Sequence, residues 1–258
     1  MLIFETHAHY DDDAFDEDRE ELLSSLQEND IEYVVNVGAS LASTKASIEL
    51  AKKYDFVYTS VGIHPSDADQ LNEESFAWLA EQTKYEKCLA VGEIGLDYYW
   101  DKEEDIQANQ RVWFRRQLNL AREAKLPIII HSRDACEDTM EIMKDERAGE
   151  IGGVIHCFSY SKEIALEYVK MGMYIGVGGV VTFKNAKKLK EAVEVIPIER
   201  IVLETDCPYM APEPNRGKRN SSLYIPYIAA KIAEIKGLSP DEVVEITNKN
   251  AKAMYRLD

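Results

Sequence analysis

Histidine is scarce in this chain, with five among 258 residues. Cysteine is scarcer: Cys88, Cys136, Cys157 and Cys207 are the only four, and no two are spaced C-x-x-C. That spacing excludes a structural zinc knot, and the low count argues against a disulfide framework; free thiols in a reducing compartment are expected. No run of about 20 apolar residues is present, which excludes a transmembrane helix. No basic segment leading into an apolar stretch opens the sequence, so the expected location is cytoplasmic. Positive charge is in short supply too: 30 Lys and Arg face 47 Asp and Glu, a formal net charge of -17. So negative a surface repels polyanions and excludes a passive nucleic-acid coat, although not an enzyme with a locally positive site. Linker-like and low-complexity tracts are missing as well, and the expectation is one domain over residues 1–258, with no membrane and no obligate protein partner.

What is present is an alternation. Short apolar runs rich in β-branched residues give way to longer polar segments with helical spacing. Eight runs read as strands, at 2–6, 33–38, 57–63, 88–94, 127–131, 153–158, 173–179 and 201–206. Helical patterns fall between them, and two more follow the last strand; the final one opens on Ser239-Pro240-Asp241-Glu242, an N-cap with proline in the first turn. Eight β–α units in about 250 residues predict an α/β fold, a (β/α)8 TIM barrel with an extra C-terminal helix. An open doubly wound sheet is the alternative, weakened because no G-x-G-x-x-G follows the first strand.

All five histidines, His7, His9, His64, His131 and His156, fall at or just past the C-terminal end of an expected strand. In a barrel those ends converge on the face that carries the active site. Any one histidine is more readily explained by ordinary packing, but five on one rim are not. Two carboxylates join them: Glu93 in "VGEIGLDYY", between Gly92 and Gly95, and Asp206 in "LETDCPY". A salt bridge from Glu93 to Arg133 and a turn-capping role for Asp206 are the structural alternatives. Four imidazoles and two carboxylates, with His64 nearby, are too many ligands for one tetrahedral zinc. They suit two divalent ions roughly 3.5–4 Å apart that share a bridging carboxylate. Imidazole favours Zn, Mn, Fe or Co over Mg, without choosing among them. Such a centre supplies an activated water, with Asp206 placed to orient it and accept its proton.

Read together, "THAH" (6–9), "GIHP" (62–65), "GEIGLDYY" (92–99), "IIIHSRDA" (128–135), "HCFS" (156–159), "ETDCPY" (204–209) and "RGKRN" (216–220) resemble the TatD-like deoxyribonucleases, metal-dependent hydrolases with an amidohydrolase-like barrel. The resemblance runs in order along essentially the whole chain. It implies a DNase acting on phosphodiester bonds at DNA ends, on single strands or strand ends. It implies that His7 and His9 hold one metal with Asp206, that Glu93 bridges, that His131 and His156 hold the second, and that His64 lies near the scissile phosphate. Glu93, Asp206 and His64 are then the catalytic set. Two departures stand out: Glu5 where members usually carry Asp, and Ser221-Ser222 where many carry Glu-Pro.

The substrate contacts expected from this reading are Arg133, Arg216, Arg219 and Asn220. Arg133 follows His131 by two residues, and "RGKR" brings three positive charges to the loop after strand eight. A small positive mouth on a negative body suits a strand end better than a long duplex. Tyr98, Tyr99, Trp100 and Phe158 are candidates for stacking on a base; strand alternation would turn Cys157 and Cys207 away into packing. Carboxylic esters, lactones and aminoacyl-tRNA esters are the alternative substrates, because the same centre hydrolyses them with the same chemistry. A non-catalytic metal-binding barrel is a third reading, disfavoured by an open rim of ligands.

Overall fold

The structure, a computed structural model, describes residues 2–257. Eight parallel strands alternate with helices: β1 Ile3–Ala8, β2 Ile31–Asn36, β3 Val57–Val61, β4 Cys88–Asp97, β5 Ile128–Arg133, β6 Gly153–Ile155, β7 Tyr174–Val177 and β8 Ile201–Leu203. They form one sheet in sequential order. A parallel bridge between Ala8 and Cys207 joins the two ends, with Asp206 N–H donating to His7 O at 2.9 Å and His9 N–H to Cys207 O at 2.9 Å. The barrel expected from the alternation is therefore the observed fold. Its strands are buried on both sides, which is why they read as apolar runs rather than as strict alternation.

The helices are α1 Arg19–Leu26, α2 Leu41–Lys53, α3 Glu73–Gln82, α4 Glu104–Ala124, α5 Cys136–Asp145, α6 Lys162–Lys170, α7 Lys187–Val195, α8 Ile225–Lys236 and α9 Pro240–Tyr255. α9 starts as its sequence predicts: Ser239 and Glu242 exchange side-chain and backbone hydrogen bonds in a capping box. Among the described residues no helix is long and apolar enough to cross a membrane.

The interior of the barrel divides into two layers. Ile129 and Val154 lie two residues before His131 and His156, on the same side of their strands. With Phe4, Val35, Leu89 and Val202 they form an apolar cluster that Ala251, Met254 and Tyr255 of α9 complete. Tyr255 stacks on Phe4 at 5.7 Å, and its hydroxyl donates to Thr6 O at 2.8 Å. Above this layer lie the ionisable residues.

Four strands, β3, β6, β7 and β8, are shorter than their apolar runs suggest. β6 stops at Ile155 and β8 at Leu203. The chain then turns through left-handed residues, Cys157 at φ 44° and Asp206 at φ 56°. A non-glycine residue in that region is strained, and such residues gather at functional sites. The turn at Cys157 also places that residue on a cleft wall, where it was expected to pack away from the site. Its thiol lies 3.8 Å from the Met210 sulfur.

Candidate metal centre

Glu93 sits at the centre of the rim and is buried. Its two oxygens face different partners. Oε2 lies 3.5 Å from His7 Nε2 and 3.8 Å from His9 Nε2. Oε1 lies 2.8 Å from His131 Nδ1, 3.3 Å from His156 Nε2 and 3.9 Å from His64 Nε2. Asp206 Oδ1 closes the first group at 3.7 Å from His7 Nε2 and 3.4 Å from His9 Nε2. Gly95 makes this possible: a Cβ built there would stand 1.9 Å from His131 O, so β4 approaches β5 at His131 as only glycine allows. The ionic alternative for Glu93 is not adopted. Arg133 instead lays its guanidinium over Tyr99, 4.0 Å from the ring centroid, and makes no ion pair among the described residues.

The donor chemistry fits divalent cations. Four donor groups, His7–His9–Glu93, His7–His156–Asp206, Glu93–His131–His156 and His64–Asp97–His131, each gather their ligand atoms within 4.8 Å of one another. The local field favours positive charge. Burial opposes the charged form of His9, yet Asp206, Glu93 and Asp11 outweigh it and hold the imidazole up at about 9. Burial likewise opposes charge on His156, and Glu204, Glu93 and Asp206 push it well above the usual range. Burial would raise Glu93, but His156, His131 and His7 draw it well below an ordinary carboxyl. A field that favours protonated imidazoles also attracts a cation. His7 Nδ1 is buried without a hydrogen-bond partner.

The second nitrogens of His9 and His131 are held from outside the cluster, as in many metal sites. His9 Nδ1 lies 3.1 Å from Val37 O. His131 Nε2 lies 3.0 Å from Asp97 Oδ2, and Asp97 Oδ1 accepts from the backbone of Tyr99 and Trp100. His156 Nδ1 makes no hydrogen bond among the described residues but lies 3.4 Å from Glu204 Oε1 as an ion-pair contact, and that oxygen accepts the Cys157 N–H at 2.6 Å. Glu204 is buried, and Gly176 of β7 leaves room for it: a Cβ there would meet Glu204 Oε2 at 2.3 Å. Sequence reasoning passed over both carboxylates. The signal was in the motifs: Asp97 follows Glu93 by four residues in "GEIGLD", and Glu204 precedes Asp206 by two in "ETD". Even spacing along an extended run would place them on the ligand side, although the chain leaves β8 at Leu203, before Glu204.

Glu5 does not reach the cluster. Pairing register shifts between Glu5 and Ala8, so simple alternation fails along β1. Its carboxylate accepts from Thr205 N–H at 2.9 Å, Thr205 Oγ1 at 2.6 Å, Ser222 Oγ at 2.9 Å and His7 N–H at 3.2 Å. Burial raises it to about 7 in spite of these bonds. The two departures from the family pattern thus touch each other, since Glu5 and Ser222 are hydrogen-bonded.

The remaining expected residues are placed as follows. His64 stands at the cleft edge; burial and the His131 charge push it down to about 3, and its Nδ1 accepts the Ser66 N–H at 3.2 Å. Arg216 lies over the Phe183 ring at 4.3 Å, 4.0 Å from Glu213. Arg219 donates to both oxygens of Asp18 at 2.7 and 2.6 Å. Asn220 is buried, donating to Thr205 O at 2.9 Å and Tyr209 O at 2.8 Å, so it shapes the loop rather than facing the cleft. Tyr99 and Trp100 are exposed, Phe158 is buried against the cleft, and the Tyr98 hydroxyl donates to Asp138 at 2.6 Å.

Comparison with known proteins decides the family. The family described as TatD-related DNase matches residues 4–256. The chain belongs to the TatD-related DNase family. It is accordingly a metal-dependent hydrolase, and relatives across the family bear this out. YabD of Bacillus subtilis, described as a metal-dependent hydrolase without a characterised activity, is 46% identical over 258 residues, covering all of both chains. A TatD protein of Cronobacter sakazakii, named a 3'-5' ssDNA/RNA exonuclease, is 31% identical over 247 residues, 93% of each chain. The crystal structure of the TatD homologue YjjV from Escherichia coli superposes with a TM-score of 0.92 at 27% identity, covering 99% of this chain and 98% of that one.

Proposed function

We propose that this TatD-family hydrolase cleaves phosphodiester bonds at the ends of single-stranded DNA, using two divalent cations held by His7, His9, Glu93, His131, His156 and Asp206. The observation that carries the reading is the division of Glu93, whose one carboxylate turns Oε2 to the His7–His9 pair and Oε1 to the His131–His156 pair. A carboxylate so placed would hold both cations. The relative named an exonuclease supports the choice of substrate.

Bound there, divalent cations supply Lewis acidity and lower the pKa of a water. The chain does the rest. Asp206 lines the open cleft of about 340 Å³ and is held below the usual carboxylate range, so it is ionised at neutral pH and free to take a proton from the attacking water. Burial opposes its charge, but His156, His9 and His7 overcome that. His64 is neutral at that pH, and because its Nδ1 accepts a backbone N–H its proton sits on Nε2, directed to the cluster. It can donate that hydrogen to a phosphoryl oxygen. Asp97 holds the His131 ring by a hydrogen bond and Glu204 faces the His156 ring as an ion-pair partner, so the geometry is set before substrate arrives.

The test is a panel of end-labelled single-stranded DNA, RNA and carboxylic esters under several divalent metals, with Asp206→Asn as control. Stepwise loss of nucleotides from DNA ends, abolished by the substitution, is the expected outcome. Intact DNA under every metal together with ester turnover would assign the ester chemistry instead.

A further inference from the structure

Two clefts meet at the metal centre, and they differ in charge. The first, besides the ligands, is walled by Asp11, Asp12 and Asp67. A phosphodiester chain leaving on that side runs along carboxylates. The second, about 450 Å³, shares His131, His156 and Asp206 with the first and opens toward β7 and α7, past Arg133, Asp134, Phe158 and Leu189, with Glu204 at its base. Leu189 lies on α7, and the segment before and around it, "FKNAKKLK" (183–190), carries four lysines; Glu191 and Glu194 follow on α7 and share a groove with Lys184, Lys187 and Lys190. Lys184, Lys187 and Lys188 are exposed. Lys184 and Lys188 make no ion pair among the described residues, while Lys187 has only Glu191 at 3.7 Å. Lys190 is used within the fold, bonded to Phe183 O.

The loop after β8 is fastened to the same segment. Arg216 lies over Phe183, and Glu213 N–H donates to Thr182 Oγ1 at 2.8 Å. Exposed Arg216 and Lys218 thereby extend the lysine ridge. A chain of net charge -17 thus gathers positive charge, unpaired at Lys184 and Lys188, on one sector of the catalytic rim and carboxylates on another. Single-stranded nucleic acid is bound by such a combination of basic track and aromatic walls.

Resting on the nuclease reading above, we infer that the strand beyond the scissile nucleotide leaves through the second cleft and over the ridge formed by Lys184, Lys187 and Lys188, and not along Asp11, Asp12 and Asp67. The ridge is a binding track for single-stranded polynucleotide. The acidic sector works against a strand that continues on the other side, which biases the enzyme toward ends.

The test measures binding of metal-loaded protein to a 12-mer of thymidylate with phosphorothioate linkages, by fluorescence anisotropy across a salt series. Each phosphate contact to a single strand contributes about 0.7 to the slope of log affinity against log salt. The Lys184→Gln/Lys187→Gln/Lys188→Gln variant is expected to flatten that slope by about 2 and to weaken binding by roughly tenfold or more at low salt. The Lys184→Gln/Lys188→Gln variant is expected to flatten it by about 1.4. A charge-matched control, Lys84→Gln/Lys170→Gln/Lys249→Gln, alters lysines that pair with Glu81, Glu167 and Glu245 away from the clefts, and should match wild type. Equal slopes in wild type and ridge variants overturn the track. An equal loss in the control also overturns it, because net charge alone would then be acting. If wild type binds and degrades DNA, the nuclease reading survives either result; if wild type binds no oligonucleotide, both fall.

Discussion

The two layers inside the barrel are built from the same strands and behave in opposite ways. The lower one, Phe4, Val35, Leu89, Ile129, Val154 and Val202 under α9, is apolar and needs only volume and shape. The upper one, a strand residue or two further on, holds imidazoles and carboxylates packed so closely that the His7 and His156 rings stack at 3.6 Å. Each buried charge there is tolerable only because the others are present. One layer is therefore a source of stability and the other a cost carried for chemistry.

Substitutions in the two layers should separate those roles. The largest effect is expected at Glu93. Glu93→Gln removes the bridging charge and should lower turnover by roughly a thousandfold or more, with metal content falling when measured by mass spectrometry. Full metal occupancy in that variant would break the assignment of Glu93 as bridge. Next comes Phe4→Ala in the lower layer. Loss of its packing against Tyr255 and Tyr33 should cost about 3–5 kcal/mol in urea unfolding while metal stoichiometry stays at the wild-type value. If that variant lost metal before it lost stability, the layers would not be independent.

A smaller effect sharpens the boundary between them. Glu204→Gln should weaken metal affinity about 10- to 100-fold, because the His156 ring loses the carboxylate that faces it, with stability altered less than by Phe4→Ala. Metal titration by calorimetry reads this directly, and an unchanged affinity would reduce Glu204 to packing. The smallest effect is expected from Ser239→Ala. Removing the α9 cap should cost about 1 kcal/mol and leave metal binding untouched, since α9 closes the lower layer only. Thermal melting with and without metal distinguishes this from an effect transmitted to the rim.

Much of this was legible in the sequence because the signals are local. A run such as "PIIIH" announces a buried strand ending in histidine, and Ser239-Pro240-Asp241-Glu242 announces the start of α9. Eight such runs with helices between them leave little besides a barrel. The partners of these residues were harder to read. Glu5 was expected on the face of His7 and His9, but β1 breaks register between Glu5 and Ala8 and its carboxylate bonds Thr205 and Ser222, 200 and 217 residues away. Arg219 looked available for phosphate, and is tied to Asp18 from the other end of the chain.

The sequence by itself determined the order of strands and helices, the closed barrel they make and the end of it where the histidines and carboxylates gather. Period, caps and apolar runs act over a few residues, so they can be read a few residues at a time. Only the tertiary structure decided which oxygen of Glu93 meets which imidazole, that Asp97 bonds His131 while Glu204 faces His156, and that Arg216 after β8 lies over Phe183 after β7. Those pairings depend on side-chain directions fixed when β8 closes on β1 and when distant loops dock, and no local pattern carries that information.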